Sequence, residues 1–241
     1  MSFKNIMKID NFNSSGDKPQ FYARKIANIK HNNFPHLKDF ELYSLDRSEI
    51  DFTRKMATKI NLKKLYPNID SYDCFQEWKN IIINASNRID NDVNAVLAVY
   101  DKKPCGIMIY KKYHDLIYLN YLTKWRIKPD FDLPNIGKML MRNLFGVAAK
   151  NNIDTIALTP AKCKPRGKSC VDFYKELGFK EKLDGSLTLQ DTNFEKKCAQ
   201  IENYFEYQNV NNSNIISANK KFSCNFNESL IEKIKKLFSN L

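Results

Sequence analysis

Apolar residues change their spacing several times along the chain, and each change marks an element. FELYSL (Phe40 to Leu45) reads as a short strand. Asp46 and Glu49 then open a helical pattern that runs through Ile50, Met56, Ile60 and Leu65 to a stop at Pro67. A second helical stripe, Trp78, Ile81, Ile82 and Ala85, starts near Ser71 and ends near Arg88. Three strand-like runs follow, Asn94–Asp101, Cys105–Tyr113 and Asp115–Ile127, with links short enough for antiparallel hairpins. A helix is predicted from Asn135 to Lys150, with Ile136, Met139, Leu140, Leu144, Val147 and Ala148 on one side. The strand TIALTP (Thr155 to Pro160), the basic loop AKCKPRGKS, a short helix over Cys170–Leu177, and strands near Phe179–Leu183 and Ser186–Gln190 complete the block. Gly178 fits a helix C-cap. Beyond Asp191 the spacing of Phe194, Cys198, Ile201 and Phe205 predicts another helix, and Glu228–Phe238 a terminal amphipathic one whose apolar side suits docking on the parent domain, a dimer seam or an anionic membrane surface.

This order predicts an α/β fold: a mixed, mostly antiparallel sheet with helices on both faces, spanning 36–192, and a helical C-terminal extension over 193–241. Residues 1–35 carry six basic side chains against two acidic ones and few periodic apolar positions. They read as a basic arm, a docking peptide or a strand that orders late.

At 241 residues the chain is long enough to bury a core without covalent staples. The six cysteines are scattered, with no CxxC pair and no histidine at metal-ligand spacing, so reduced thiols and no metal are expected. No apolar run reaches the length of a membrane span, and the first residues lack a signal-peptide core, which together predict a cytoplasmic protein with no integral membrane segment. The formal net charge of +12 favours acidic partners, although lysine, asparagine and isoleucine are abundant throughout and part of that charge is compositional. Binding to nucleic acid would rest on charge alone, because no helix-turn-helix, zinc or RNP-type motif is present.

Two stretches carry more specific information. FYKELGF (Phe173 to Phe179) follows the strand TIALTP, and IKPDFDLPNIGKMLM (Ile127 to Met141) follows the third hairpin strand. With the order of elements, they resemble the GNAT superfamily of acyl-coenzyme A-dependent N-acetyltransferases, and the chain reads as a divergent member. Ile127, Pro129, Gly137, Leu140 and Met141 fit the family's phosphate-binding pattern. Asp132 stands where Arg or Gln is usual, Leu133 where Gly is frequent and Asn135 where another Gly is expected. Asn tolerates left-handed backbone, so Asn135 can preserve the turn. Pro134 removes one N–H donor, and Asp132 puts a carboxylate beside an expected dianion.

What the resemblance implies is transfer of an acetyl or other short acyl group from a coenzyme A thioester to an amine, by direct attack. The acceptor is open between a small molecule and an acidic macromolecule, and the C-terminal helices offer a homodimer seam. The alternative is a catalytically weak or inactive module that binds acyl-coenzyme A. Cofactor contacts are expected from Asp132, Leu133, Asn135, Ile136, Gly137 and Lys138, and from Lys164, Arg166 and Gly167 of the basic loop, Gly167 replacing the family's usual Asn. The main chain of Trp125, Arg126 and Ile127 is expected to hold the thioester carbonyl. Tyr174 is the candidate acid for the leaving thiolate and a further cofactor contact. Tyr121 occupies the position of the family's usual Glu base; Glu77, His114 and Asp115 are substitutes acting through water.

Overall fold

The structure, a computed structural model, describes residues 23–67, 72–89, 92–161 and 169–210. Among them, nine strands form one sheet: β1 (Arg24–His31), β2 (Phe40–Leu45), β3 (Asn94–Tyr100), β4 (Lys103–Lys112), β5 (Leu116–Lys124), β6 (Thr155–Leu158), β7 (Lys180–Glu181), β8 (Leu187–Gln190) and β9 (Phe205–Asn209). Their spatial order is β7-β8-β6-β5-β4-β3-β2-β1-β9. Neighbours are antiparallel except β5 and β6, which run parallel. The hairpin between β3 and β4 turns on Asp101 and Lys102, both at positive φ (48° and 63°), the backbone that matches the twist of the flanking strands.

Helices cover both faces, which is why β3 and most of β4 are buried along nearly their whole length. On one face α1 (Ile50–Lys59) and α3 (Tyr72–Asn87) enclose Phe52, Met56, Trp78, Ile82, Ile107 and Trp125. The single helix expected up to Leu65 is interrupted at Ile60, where ψ is 111°. Asn61 then caps a short α2 (Leu62–Leu65), its side chain accepting from the Lys64 amide. Lys79 of α3 donates to the carbonyls of Ala57 and Ile60, satisfying the C-terminal end of α1 from outside.

The other face holds α4 (Ile136–Lys150) and α6 (Phe194–Glu202). Met139, Leu140, Leu144, Phe145 and Ala148 are fully buried against Met108, Leu119, Phe194 and Ile201. Each large side chain so buried contributes about 1.5–3 kcal/mol. Arg142 of α4 donates to Glu202 of α6 at 2.6 Å and lies over the Tyr207 ring.

Three further expectations change. Residues 24–31, read within a basic arm, form β1, because Ala27 and Ile29 are fully buried beneath its pairing with β2 and β9. Phe205 leaves the helical pattern and opens β9, where it pairs with His31 and is fully buried. The strand expected to reach Ile127 ends at Lys124. The terminal helix at Glu228–Phe238, and with it the dimer seam, lies outside the described residues.

Candidate active site

The cleft arises where two parallel strands part. β5 pairs with β6 only from Leu116 to Leu119, and β6 ends at Leu158 while β5 continues to Lys124. At that point β5 carries a bulge: Ile109 faces Tyr121 and Tyr110 faces Leu119, so Asn120 is the extra residue. A bulge bends its strand and strengthens the local twist, which turns β5 away from β6. The opening is a cleft of about 430 Å³.

One wall is the start of α4. Asn135 sits at its N-cap with φ 57° and ψ 12°, the left-handed backbone expected of it. Its carbonyl accepts from Met139, and the amides of Ile136, Gly137 and Lys138 have no acceptor within the helix. Asn135, Ile136, Gly137 and Lys138 all line the cleft. Gly137 permits a close approach: a Cβ would stand 3.0 Å from the Phe173 ring, which would have to shift to admit it. Leu133 is buried in the core and is no lining residue.

Asp132 lines this wall too, but its carboxylate is not left facing the cleft alone. Arg126 donates to it through Nε at 3.2 Å and Nη2 at 3.0 Å. The guanidinium also lies 4.6 Å from the centre of the Tyr66 ring and reaches the Leu65 carbonyl. Arg126 is thus tied to both ends of the cleft mouth, and the charge of Asp132 is balanced within the loop.

The opposite wall is α5 (Cys170–Glu176), with Ser169 at its N-cap accepting from the Val171 amide. Cys170, Phe173 and Tyr174 share the face that lines the cleft, as positions four and three apart must. The FYKELGF sequence has a local physical reason. The amide of Gly178 (φ 94°) donates to Lys175, and that of Phe179 to Tyr174, while the Tyr174 and Phe179 rings meet at 5.5 Å. This is a Schellman helix end with its hydrophobic contact, and it fixes where the tyrosine points. Tyr174 is 7% exposed, and burial pushes its phenol well above the usual range, with Cys170 a lesser cause. The group therefore stays protonated at neutral pH, suited to donating a proton and unsuited to accepting one. The Cys170 thiol donates to the Ala161 carbonyl at 3.0 Å and is itself held up by burial.

The floor corrects the assignment of Trp125 and Arg126 as carbonyl holders. The Trp125 amide donates to Cys105, its indole to Pro104, and the ring is 2% exposed in the core. The Arg126 amide donates to the Tyr66 hydroxyl at 3.0 Å. Ile127 packs against the core on the α4 face. Since Trp125 bonds toward β4, the alternation of an antiparallel ladder turns the main-chain groups of Leu122 and Lys124 the other way, toward the gap left by β6. Both residues line the cleft.

The remaining wall, from α2 and α3, holds residues that the sequence reading assigned to packing or passed over: Tyr66, Trp78 and Ile81. The Trp78 indole donates to Thr123 Oγ1 at 2.9 Å. Tyr121 packs against the core on this face and does not line the cleft. His114 and Asp115 are exposed in the β4–β5 link, and Glu77 is close enough to act electrostatically on Cys170. Lys164, Arg166 and Gly167 lie outside the described residues. Among the described residues there is no cluster of metal-ligating side chains, no helix long and apolar enough to cross a membrane, and four free cysteines, Cys74, Cys105, Cys170 and Cys198.

No family model and no curated protein matches the chain. Among solved structures, it is similar to the PaiA N-acetyltransferase of Thermoplasma acidophilum in complex with coenzyme A, at 19% identity over 64% of this chain and 98% of that one, with a TM-score of 0.41. It is similar as well to the ribosomal-protein-S18-alanine N-acetyltransferase of Escherichia coli, at 17% identity, 64% and 94% coverage and a TM-score of 0.40. A GNAT family acetyltransferase from Elizabethkingia anophelis with acetyl-CoA bound aligns at 12% identity, 63% and 97% coverage and a TM-score of 0.37.

Proposed function

We propose that this protein transfers an acetyl or other short acyl group from a coenzyme A thioester to an amine. The observation that carries the reading is the cleft between the diverging β5 and β6, which has unpaired helix amides at one end and a protonated tyrosine in its wall. The α4 amides of Ile136, Gly137 and Lys138 suit a pyrophosphate, and the helix dipole adds to them. The extended arm of the thioester fits beside β5 as a strand-like partner for Leu122 and Lys124, whose amides then face the carbonyl oxygen. The amine nitrogen attacks the carbonyl carbon, the C–N bond forms, and the C–S bond breaks. Tyr174 gives its proton to the departing thiolate, and the one proton released by the attacking amine is taken up by the base through water and returned to Tyr174 by way of solvent.

Tyr66, Trp78 and Ile81 form the acceptor side, an apolar and aromatic surface. Glu77 is retained as the candidate that takes the amine's proton through water, in place of Tyr121. Lys164 and Arg166 are proposed as further phosphate contacts, and reversing the charge of both should weaken coenzyme A binding. The acceptor is an amine presented by a small molecule or by an acidic macromolecule drawn by the chain's positive charge.

Calorimetry with acetyl-coenzyme A, followed by turnover on a panel of amines, tests the reading. Binding with turnover that collapses in Tyr174→Phe supports it. Binding without turnover supports an acyl-coenzyme A-binding module instead, and no binding at millimolar cofactor removes both.

A further inference from the structure

Strand β1 stands outside the order of elements on which the family resemblance was drawn, yet its last residue touches a residue of the cleft wall. His31, its last residue, is 3% exposed, and its Nε2 lies 2.9 Å from Nδ2 of Asn135. Its Nδ1 is buried and has no hydrogen-bond partner. An unpaired buried ring nitrogen opposes folding, so the imidazole is not placed here for its own satisfaction. Burial lowers its pKa, which keeps the ring neutral, and in the tautomer with its proton on Nδ1 the Nε2 accepts from the Asn135 side-chain amide.

Asn135 is the residue whose conformation decides where α4 begins. An N-cap asparagine ordinarily turns its side chain inward to accept from its own helix. Here the side chain makes no such bond and is directed to His31 instead, while the backbone sits in the left-handed region that L-residues adopt reluctantly. The strand behind His31 is fixed on two sides, by β2 and by β9, where His31 pairs with Phe205. The edge of Phe34 packs on the imidazole at 4.7 Å.

We propose that His31 is a positioning residue for the cofactor site: it holds Asn135 in its left-handed conformation and so aims the amides of Ile136, Gly137 and Lys138 into the cleft. The inference rests on the acyl-coenzyme A reading for its ligand, and on the apo protein alone for its geometry. Phosphate affinity in this chain then depends on a strand that contributes nothing to the cleft lining.

The test combines two measurements on the full chain, His31→Leu in the native background and in an Asn135→Gly background, where glycine adopts positive φ unaided. Calorimetry with acetyl-coenzyme A should give about tenfold weaker binding for His31→Leu in the native background and less than a twofold effect beside Gly at 135. Amide hydrogen exchange without ligand should quicken in the first turn of α4, at Ile136 to Met139, and remain unchanged in the middle of β4. Should His31→Leu fail to fold, His31→Gln, which offers an amide at similar reach, is expected to keep native exchange in that turn. Equal loss of affinity in both backgrounds would overturn the proposal, since His31 would then act through general stability. So would unchanged first-turn exchange in His31→Leu, or quickened first-turn exchange in a folded His31→Gln. If the native chain binds no acetyl-coenzyme A, the ligand reading fails and the exchange result alone decides the role of His31.

Discussion

The two ends of the cleft are built by different means. At the α4 end, lining residues are held by directed contacts from outside the helix: Asp132 by Arg126, Asn135 by His31, Lys138 over the ring of Tyr204 at 3.8 Å. At the α3 end, Tyr66 and Trp78 are parts of the hydrophobic core that also face the cleft, their rings 4.8 Å apart. The first end is a set of directed bonds around unpaired amides, and the second is packing in which the Trp78 indole and the Tyr66 hydroxyl each keep one hydrogen bond. Substitutions should therefore reveal themselves as altered affinity at the first end and altered stability at the second.

The largest expected effect is at the packed end. Trp78→Ala removes a buried ring and leaves Thr123 Oγ1 without its donor, and should cost about 3–5 kcal/mol in urea unfolding. A loss below about 1 kcal/mol would show that the acceptor wall is separable from the core. Next is Tyr174→Phe, which keeps the ring contacts to Phe173 and Phe179 and removes only the proton donor. Steady-state kinetics should show at least a hundredfold fall in kcat, about 2.7 kcal/mol, with acetyl-coenzyme A affinity within twofold.

At the bonded end, Arg126→Ala removes the guanidinium that balances the Asp132 carboxylate beside the helix amides. Acetyl-coenzyme A should bind about tenfold more weakly, and adding Asp132→Asn should restore most of that. Because Asp132 is 44% exposed, the loss should shrink in high salt, which titration calorimetry at two ionic strengths would reveal.

The smallest effect is the pH response of His31. Its folded pKa lies below the unfolded value, so the unfolded chain binds the extra proton first. The stability it contributes is complete above about pH 6.5 and declines as pH falls below that, toward the lowered folded pKa. Unfolding followed across pH 7.5 to 5 should show a slope below 6.5 that His31→Leu reduces.

The sequence was most informative where the physics is local. FYKELGF could be read because a Schellman end needs Gly at one position and an apolar pair around it, all within seven residues. The left-handed turn at Asn135 was legible for the same reason, as a property of one side chain. Cys170 and Phe173 were within reach as well, since a helix that presents Tyr174 to a cleft presents the residues one and four before it. What depended on distant partners was hidden. Nothing in Asp132 announces Arg126, because the five residues between them follow no helical or strand period. Trp125 and Arg126 read as open main chain because the strand-like spacing runs on to Ile127, whereas the strand ends at Lys124. Their amides are consumed by Cys105 and Tyr66, contacts set only when β4 and α2 are in place. The apolar spacing through Phe205 was compatible with a helix until its pairing with His31 decided for β9.

Pairing of β1 with β9 joins strands from opposite ends of the described chain, and this sets a schedule for synthesis. At about 5–20 residues per second, β9 leaves the ribosome roughly 10–35 s after β1. Until then the outer edge of β1 is uncovered in the nascent chain, a template for wrong pairing. His31 meets Phe205 only at the end of that interval, so the cradle at α4 is completed late. Premature release of a chain ending before Phe205 would yield a polypeptide with most of its core and a loosely defined α4 end of the cleft.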